Sequence, residues 1–145
     1  MAPEGMVHAL EIIHSLLPPG GCLIDIHPNG EPPSIEACIA GQIHLLGYLQ
    51  ETDDFVEYGQ ASAALDEAVQ QGLFMVEQQD IFTFITSAGS MSELHAFLNE
   101  SWTDAVIPAQ VGLKASELSL LHGQISSVQL IEQVLIARLR KINPN

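Results

Sequence analysis

The stretch Leu16-Leu17-Pro18-Pro19-Gly20-Gly21-Cys22-Leu23-Ile24-Asp25-Ile26-His27 joins a helical pattern to a strand pattern through an abrupt break. Consecutive prolines cannot continue a helix, because each lacks the N–H that the hydrogen-bond ladder needs, and glycine accepts the positive φ of a tight reversal. Upstream, Met6, Val7, Leu10, Ile13, Leu16 and Leu17 recur at helical spacing and Pro3 suits a first turn, so the pattern predicts an amphipathic helix over 3–17. Downstream, Cys22–Ile26 is apolar at nearly every position, which predicts a short strand buried on both faces, as at the centre of a parallel or mixed sheet. His27-Pro28-Asn29-Gly30-Glu31-Pro32-Pro33 then reads as an irregular loop leaving the carboxyl end of that strand.

Further along, Ile43–Gln50 fits a strand interrupted by Gly47. Asp53 and Asp54 offer N-caps, with Glu57 placed for a variant capping box, ahead of a helix carrying Ala61, Ala64, Leu65, Ala68 and Val69 and stopped by Gly72. Leu73–Thr86 reads as one strand, or as two bent around Gln78-Gln79-Asp80. Ser90 and Glu93 form an S-x-x-E capping box that opens a short helix with Leu94, Phe97, Leu98 and Trp102 on its inner face. Pro108 starts another helix, through Val111, Leu118 and Leu121, closed by Gly123. The segment 127–142 suits a helix by apolar content. Its Val, Ile and Leu, together with the alternation that sets Leu139 opposite Arg138 and Arg140, favour a long strand. There is no internal repeat, low-complexity tract or dividing linker, so residues 1–145 are expected to form a single domain.

Composition bounds what such a domain does. A chain of 145 residues is long enough to bury a sizeable core, roughly 68–70% of the surface its unfolded form exposes. Hydrophobic residues make up 47% and charged residues 15%, an apolar excess expected of a piece that packs against something else. The formal charge is −14, and no lysine or arginine precedes Lys114. Nucleic acid and anionic membrane surfaces need cations to meet phosphates, so both are disfavoured as partners, and the acidity serves mainly to keep an apolar protein in solution. Two cysteines, Cys22 and Cys38, make no disulfide framework, and no export signal or ~20-residue apolar span is present, so the expected compartment is the cytoplasm.

The Leu17-Pro18-Pro19-Gly20-Gly21 turn running at once into Cys22-Leu23-Ile24-Asp25-Ile26 resembles the fifth-strand region of class I S-adenosylmethionine-dependent methyltransferases. The order that follows extends the resemblance over most of residues 4–142. A helix ending in Gly72-Leu73-Phe74, a strand through Phe82 and a last strand ending Ala137-Arg138-Leu139-Arg140-Lys141 look like the family's sixth and seventh strands, the antiparallel hairpin that closes its sheet. The resemblance implies the carboxy-terminal part of that domain. S-adenosylmethionine is implied as cofactor, yet no glycine-rich turn follows a strand here and the acidic residue that would hold the ribose has no counterpart. No cofactor-binding position is therefore carried over. The expected fold is α/β or α+β, a mixed sheet with antiparallel carboxy-terminal strands and helices packed on it.

In the family the loop after this strand helps line the acceptor pocket, which makes His27, Asn29 and Glu31 the candidate substrate-binding residues. A histidine there can take a proton from a hydroxyl or amine, whereas the simpler role for Asp25 or His27 is to cap a turn and bond to backbone. The remaining histidines have no metal-ligand spacing. Ser15, Ser34, Ser87 and Ser90 carry no nucleophile-elbow pattern, so neither zinc nor a hydrolase triad is expected. The family strand has a parallel neighbour that this chain does not supply. An uncovered apolar strand edge calls for a homodimer or a partner chain pairing at Cys22–Ile26. The implied function is S-adenosylmethionine-dependent methylation once a cofactor-binding half is supplied, of an acceptor that the sequence does not identify and that can be a small molecule, and its competitor is a non-enzymatic dimeric α+β binding or assembly module.

Overall fold

The computed structural model describes residues 3–52 and 55–143. In chain order the elements are α1 (Pro3–Leu16), β1 (Cys22–Pro28), β2 (Ser34–Ile39), β3 (Gln42–Tyr48), β4 (Gln50–Glu51), α2 (Val56–Gln70), β5 (Phe74–Ala88), α3 (Met91–Ser101), β6 (Ala105–Val106), α4 (Ala109–His122) and β7 (Ile125–Lys141). This is an α+β fold whose recorded strand registers are all antiparallel. The expected caps Asp53 and Asp54 lie outside the described residues. Among the described residues no helix is long and apolar enough to cross a membrane.

The chain divides into two compact units, each with its own core. The first comprises 1–30, 56–82 and 133–145, and the second 31–55 and 83–132, so β5 and β7 contribute to both. In the first unit, α1 packs on α2, and Leu10, Ala64, Ala68, Phe74 and Leu139 form the buried centre. The break after α1 turns as its residues dictate. Gly20 adopts φ +73°, Gly21 donates its N–H to the Pro18 carbonyl at 2.9 Å, and the chain enters β1 at once. β1 runs antiparallel to β7, with Cys22 opposite Arg140 and Pro28 opposite Val134. β7 also pairs with β5, whose Leu73 end accepts the Ile142 N–H at 2.9 Å. At the end of α2, the Leu73 N–H reaches the Ala68 carbonyl and the Gly72 N–H that of Val69, which satisfies carbonyls the helix would otherwise leave open.

One expectation about β1 is overturned. Its alternate residues Cys22, Ile24 and Ile26 are exposed, Ile24 by 53% and Ile26 by 57%, whereas Leu23 packs against the first unit's core. Cys22, Ile24 and Ile26 form one face of the strand and Leu23, Asp25 and His27 the other, and only the second is covered by the helices. Among the described residues β7 is its only strand neighbour, which leaves one edge open.

The second unit contains a hairpin that the sequence did not announce. β2 and β3 pair closely, Ile39 opposite Gln42, through the two-residue turn Ala40-Gly41. Ile35, Ala37 and Ile39 of β2 join Val128 and Leu130 of β7, Leu94 and Leu98 of α3, and Val111 and Ala115 of α4 in the buried cluster. Ser90 caps α3 as expected, its hydroxyl accepting from the Glu93 N–H, while Glu93 reaches back to the Gly89 N–H. Phe97 is 41% exposed rather than facing inward. The ambiguous segment is the strand β7, and Leu139 is buried while Arg138 and Arg140 point away from the core.

Candidate functional site

Asp25 and His27 are two residues apart on β1, so the pleat sends both side chains to one face, the same face as Leu23. There the His27 Nδ1 lies 2.5 Å from Asp25 Oδ2, and its Nε2 lies 2.8 Å from the hydroxyl of Ser62 on α2. The histidine side chain is 12% exposed and the aspartate 24%. A carboxylate can only accept a hydrogen bond, so Nδ1 carries a ring proton, and whenever the imidazole is neutral Nε2 accepts from the Ser62 hydroxyl. The Ser62 oxygen keeps its lone pairs for a further donor. Asp25 is thus engaged with a ring rather than with a turn.

The three residues line a cleft of about 540 Å³ within the first unit, in the size range of small-molecule sites. Leu65 and Val69 of α2 with Leu135 and Leu139 of β7 supply apolar wall, and Asp66 and Asp80 add carboxylates. No lysine or arginine lines it among the described residues. Away from this cleft, Arg138 and Arg140 both engage Glu77. The hydrogen bond from Arg140, more than the charge of Arg138, holds the Glu77 carboxyl below the usual range.

The linear order carboxylate–imidazole–hydroxyl is that of a hydrolase triad, but Ser62 stands in a helix interior rather than on a strand-to-helix turn. Ser62 lies in the interior of α2, where backbone N–H groups are committed to carbonyls four residues earlier, so the helix's own amides supply no oxyanion pair there. What remains is an oriented base: an imidazole fixed by a carboxylate, with its second nitrogen turned toward a hydroxyl in a pocket.

Of the residues singled out from sequence, His27 lines the cleft and Asn29 and Glu31 do not. Asn29 continues past the end of β1, where its N–H donates to the Gln133 carbonyl at 3.0 Å, and Glu31 belongs to the second unit. Asp25, read from sequence beside His27, is its closest polar partner. Ser62 was missed. It sits in a helix rich in alanine, and only the packing of α2 on β1 gives it a role.

At the strand-to-helix junction Gly89-Ser90 before α3, the Gly89 N–H is taken by the Glu93 carboxylate and the Glu93 N–H by the Ser90 hydroxyl. No group of three or more His, Cys, Asp or Glu side chains among the described residues is placed to hold a metal ion. Compared with protein-family models, curated proteins and solved structures, the chain gives no match.

Proposed function

We propose that this chain is the substrate-side part of a class I methyltransferase-type domain. It takes part in S-adenosylmethionine-dependent methylation only when a cofactor-binding segment, in a longer form of the same chain or in a partner, completes the sheet. The observation that carries the reading is the strand arrangement of the first unit. A strand launched from a Pro-Pro-Gly-Gly turn lies antiparallel to the last strand, and the strand after the intervening helix pairs with that same last strand. That is the order expected of the family's fifth, seventh and sixth strands. The open edge of β1, with Ile24 and Ile26 exposed beside it, supports attachment of the missing parallel strand at Cys22–Ile26, by a partner chain or a second copy.

In this reading the cleft holds the methyl acceptor and His27 handles its proton. An acceptor O–H or N–H takes the place of the Ser62 hydroxyl at Nε2, the proton passes to that nitrogen, and Asp25 stabilises the imidazolium that forms. With the cofactor-binding segment supplied, transfer of labelled methyl from S-adenosylmethionine to a small-molecule acceptor tests the proposal. His27→Gln is expected to lower kcat by about 10²- to 10⁴-fold, the usual contribution of a positioned base. A complemented protein that transfers methyl equally well with glutamine there refutes the assigned role, and one that never transfers methyl favours the non-enzymatic module.

A further inference from the structure

We infer that the cleft of the first unit selects a ligand with an apolar body and a cationic or strongly donating head, a small primary or secondary amine. The inference rests on the acceptor site proposed above and names its substrate class.

The side chains that line the cleft carry it: three carboxylates, Asp25, Asp66 and Asp80, and no lysine or arginine among the described residues. With a neutral ring the Asp25–His27–Ser62 chain spends its donors internally: Nδ1–H goes to Asp25, and the Ser62 O–H goes to Nε2. What it offers the cleft is an oxygen that can only accept. Asp66 and Asp80, which also line the cleft, add acceptors of negative charge, and no lysine or arginine lines it among the described residues. Gln79 alone brings amide donors. A ligand carboxylate or phosphate would meet one amide donor and three carboxylates of like charge, whereas an ammonium presents two or three N–H donors to those acceptors. The remaining wall, Leu65, Val69, Leu135 and Leu139 among it, suits an aryl or alkyl body. The overall charge of −14 favours the same sign of ligand at longer range.

The test is calorimetric and NMR titration of the full chain at pH 7 with three probes of one shape: 2-phenylethylamine, 2-phenylethanol and 3-phenylpropionate. The amine is expected to bind more tightly than the alcohol by about fivefold to tenfold, the scale of two solvent-exposed ion pairs, and to shift the amide resonances of His27, Ser62 and Leu65. The propionate is expected to be the weakest. Asp66→Asn/Asp80→Asn, at two exposed positions, should remove the amine's advantage over the alcohol without altering the dispersion of the amide spectrum. Equal or tighter binding of the alcohol or the propionate overturns the inference. So does an amine advantage that survives the double substitution, or an amine that shifts no resonance of the cleft at millimolar concentration. No adenosyl compound is present in this experiment. Its failure therefore leaves the methyltransferase reading open to acceptors of another class, and failure of methyl transfer leaves the amine pocket standing.

Discussion

Replacing Asp25 probes the site through stability as well as chemistry. In the folded protein its carboxylate accepts from His27 Nδ1 at 2.5 Å, and the two side chains retain 24% and 12% of their exposure. A hydrogen bond to a charged group contributes about 1.5–3 kcal/mol, and partial solvation places this one toward the lower end. Asp25→Ala, which leaves Nδ1 without its partner, is therefore expected to destabilise the protein by about 2 kcal/mol. Asp25→Asn keeps an oxygen in place and loses only the charge, for about 1 kcal/mol. For a chain of this length these correspond to melting temperatures lower by roughly 3–8 °C. Asparagine also offers an N–H, which lets the neutral ring adopt the opposite tautomer and ask Ser62 to accept rather than donate. Urea titration with each variant, and ¹⁵N chemical shifts of the His27 ring, read both effects. An alanine variant within about 0.3 kcal/mol of the parent, with the ring tautomer unchanged, would show that the contact neither stabilises the fold nor orients the base.

At the turn that opens β1, a methyl group on Gly21 would stand 2.9 Å from the Pro18 carbonyl oxygen that its own N–H meets, so Gly21→Ala should cost about 1–3 kcal/mol in urea denaturation, and an unchanged midpoint would discredit the tight turn. Ala40 holds φ +51° in the β2–β3 hairpin beside Gly41 at φ +77°, a pair of positive angles that asparagine-glycine favours. Ala40→Asn should stabilise by about 1 kcal/mol, and a lower urea midpoint would contradict the turn geometry. Burial first, and then the charge of Glu51, pushes the Glu132 carboxyl above its ordinary range. A raised folded-state pKa gives stability that is full below the unfolded value of 4.5 and lost as pH rises through the folded value. Glu132→Gln should thus be more stable than the parent at pH 7 and lose that advantage below the ordinary carboxylate range; the same difference at both pH values would count against the burial account.

The helices and the long strands were legible because their signals are local. Pro18-Pro19 stops α1, Ser90 and Glu93 cap α3, Gly72 and Gly123 end α2 and α4, and the alternation around Leu139 separates β7 from a helix. β2 was not seen because its turn is Ala40-Gly41. Alanine pays a steric penalty at positive φ and is not the residue by which such turns are recognised, although Ile35, Ala37 and Ile39 alternate cleanly once the pairing is known. The exposed face of β1 was misjudged for a different reason. Apolar residues at successive positions measure what a strand could bury, and only the placement of α1 and α2 decides which face is covered. The site was half legible: Asp25 and His27 share a face by strand parity, whereas Ser62 comes from 35 residues further along and is brought to Nε2 by tertiary packing. Asn29 and Glu31 were expected from loop position alone, and neither lines the cleft.

On the proposed function, a cofactor-binding segment joins the first unit along β1. Calorimetric titration of S-adenosylhomocysteine tests it most directly, first into residues 1–145 alone and then into the same residues joined to, or complexed with, a glycine-rich strand-turn-helix segment encoded beside them. The account predicts no binding by residues 1–145 alone and a one-to-one, micromolar isotherm once the segment is present. Micromolar binding by residues 1–145 alone would place a cofactor site where none was recognised, and a completed assembly that binds no S-adenosylhomocysteine would contradict the account outright.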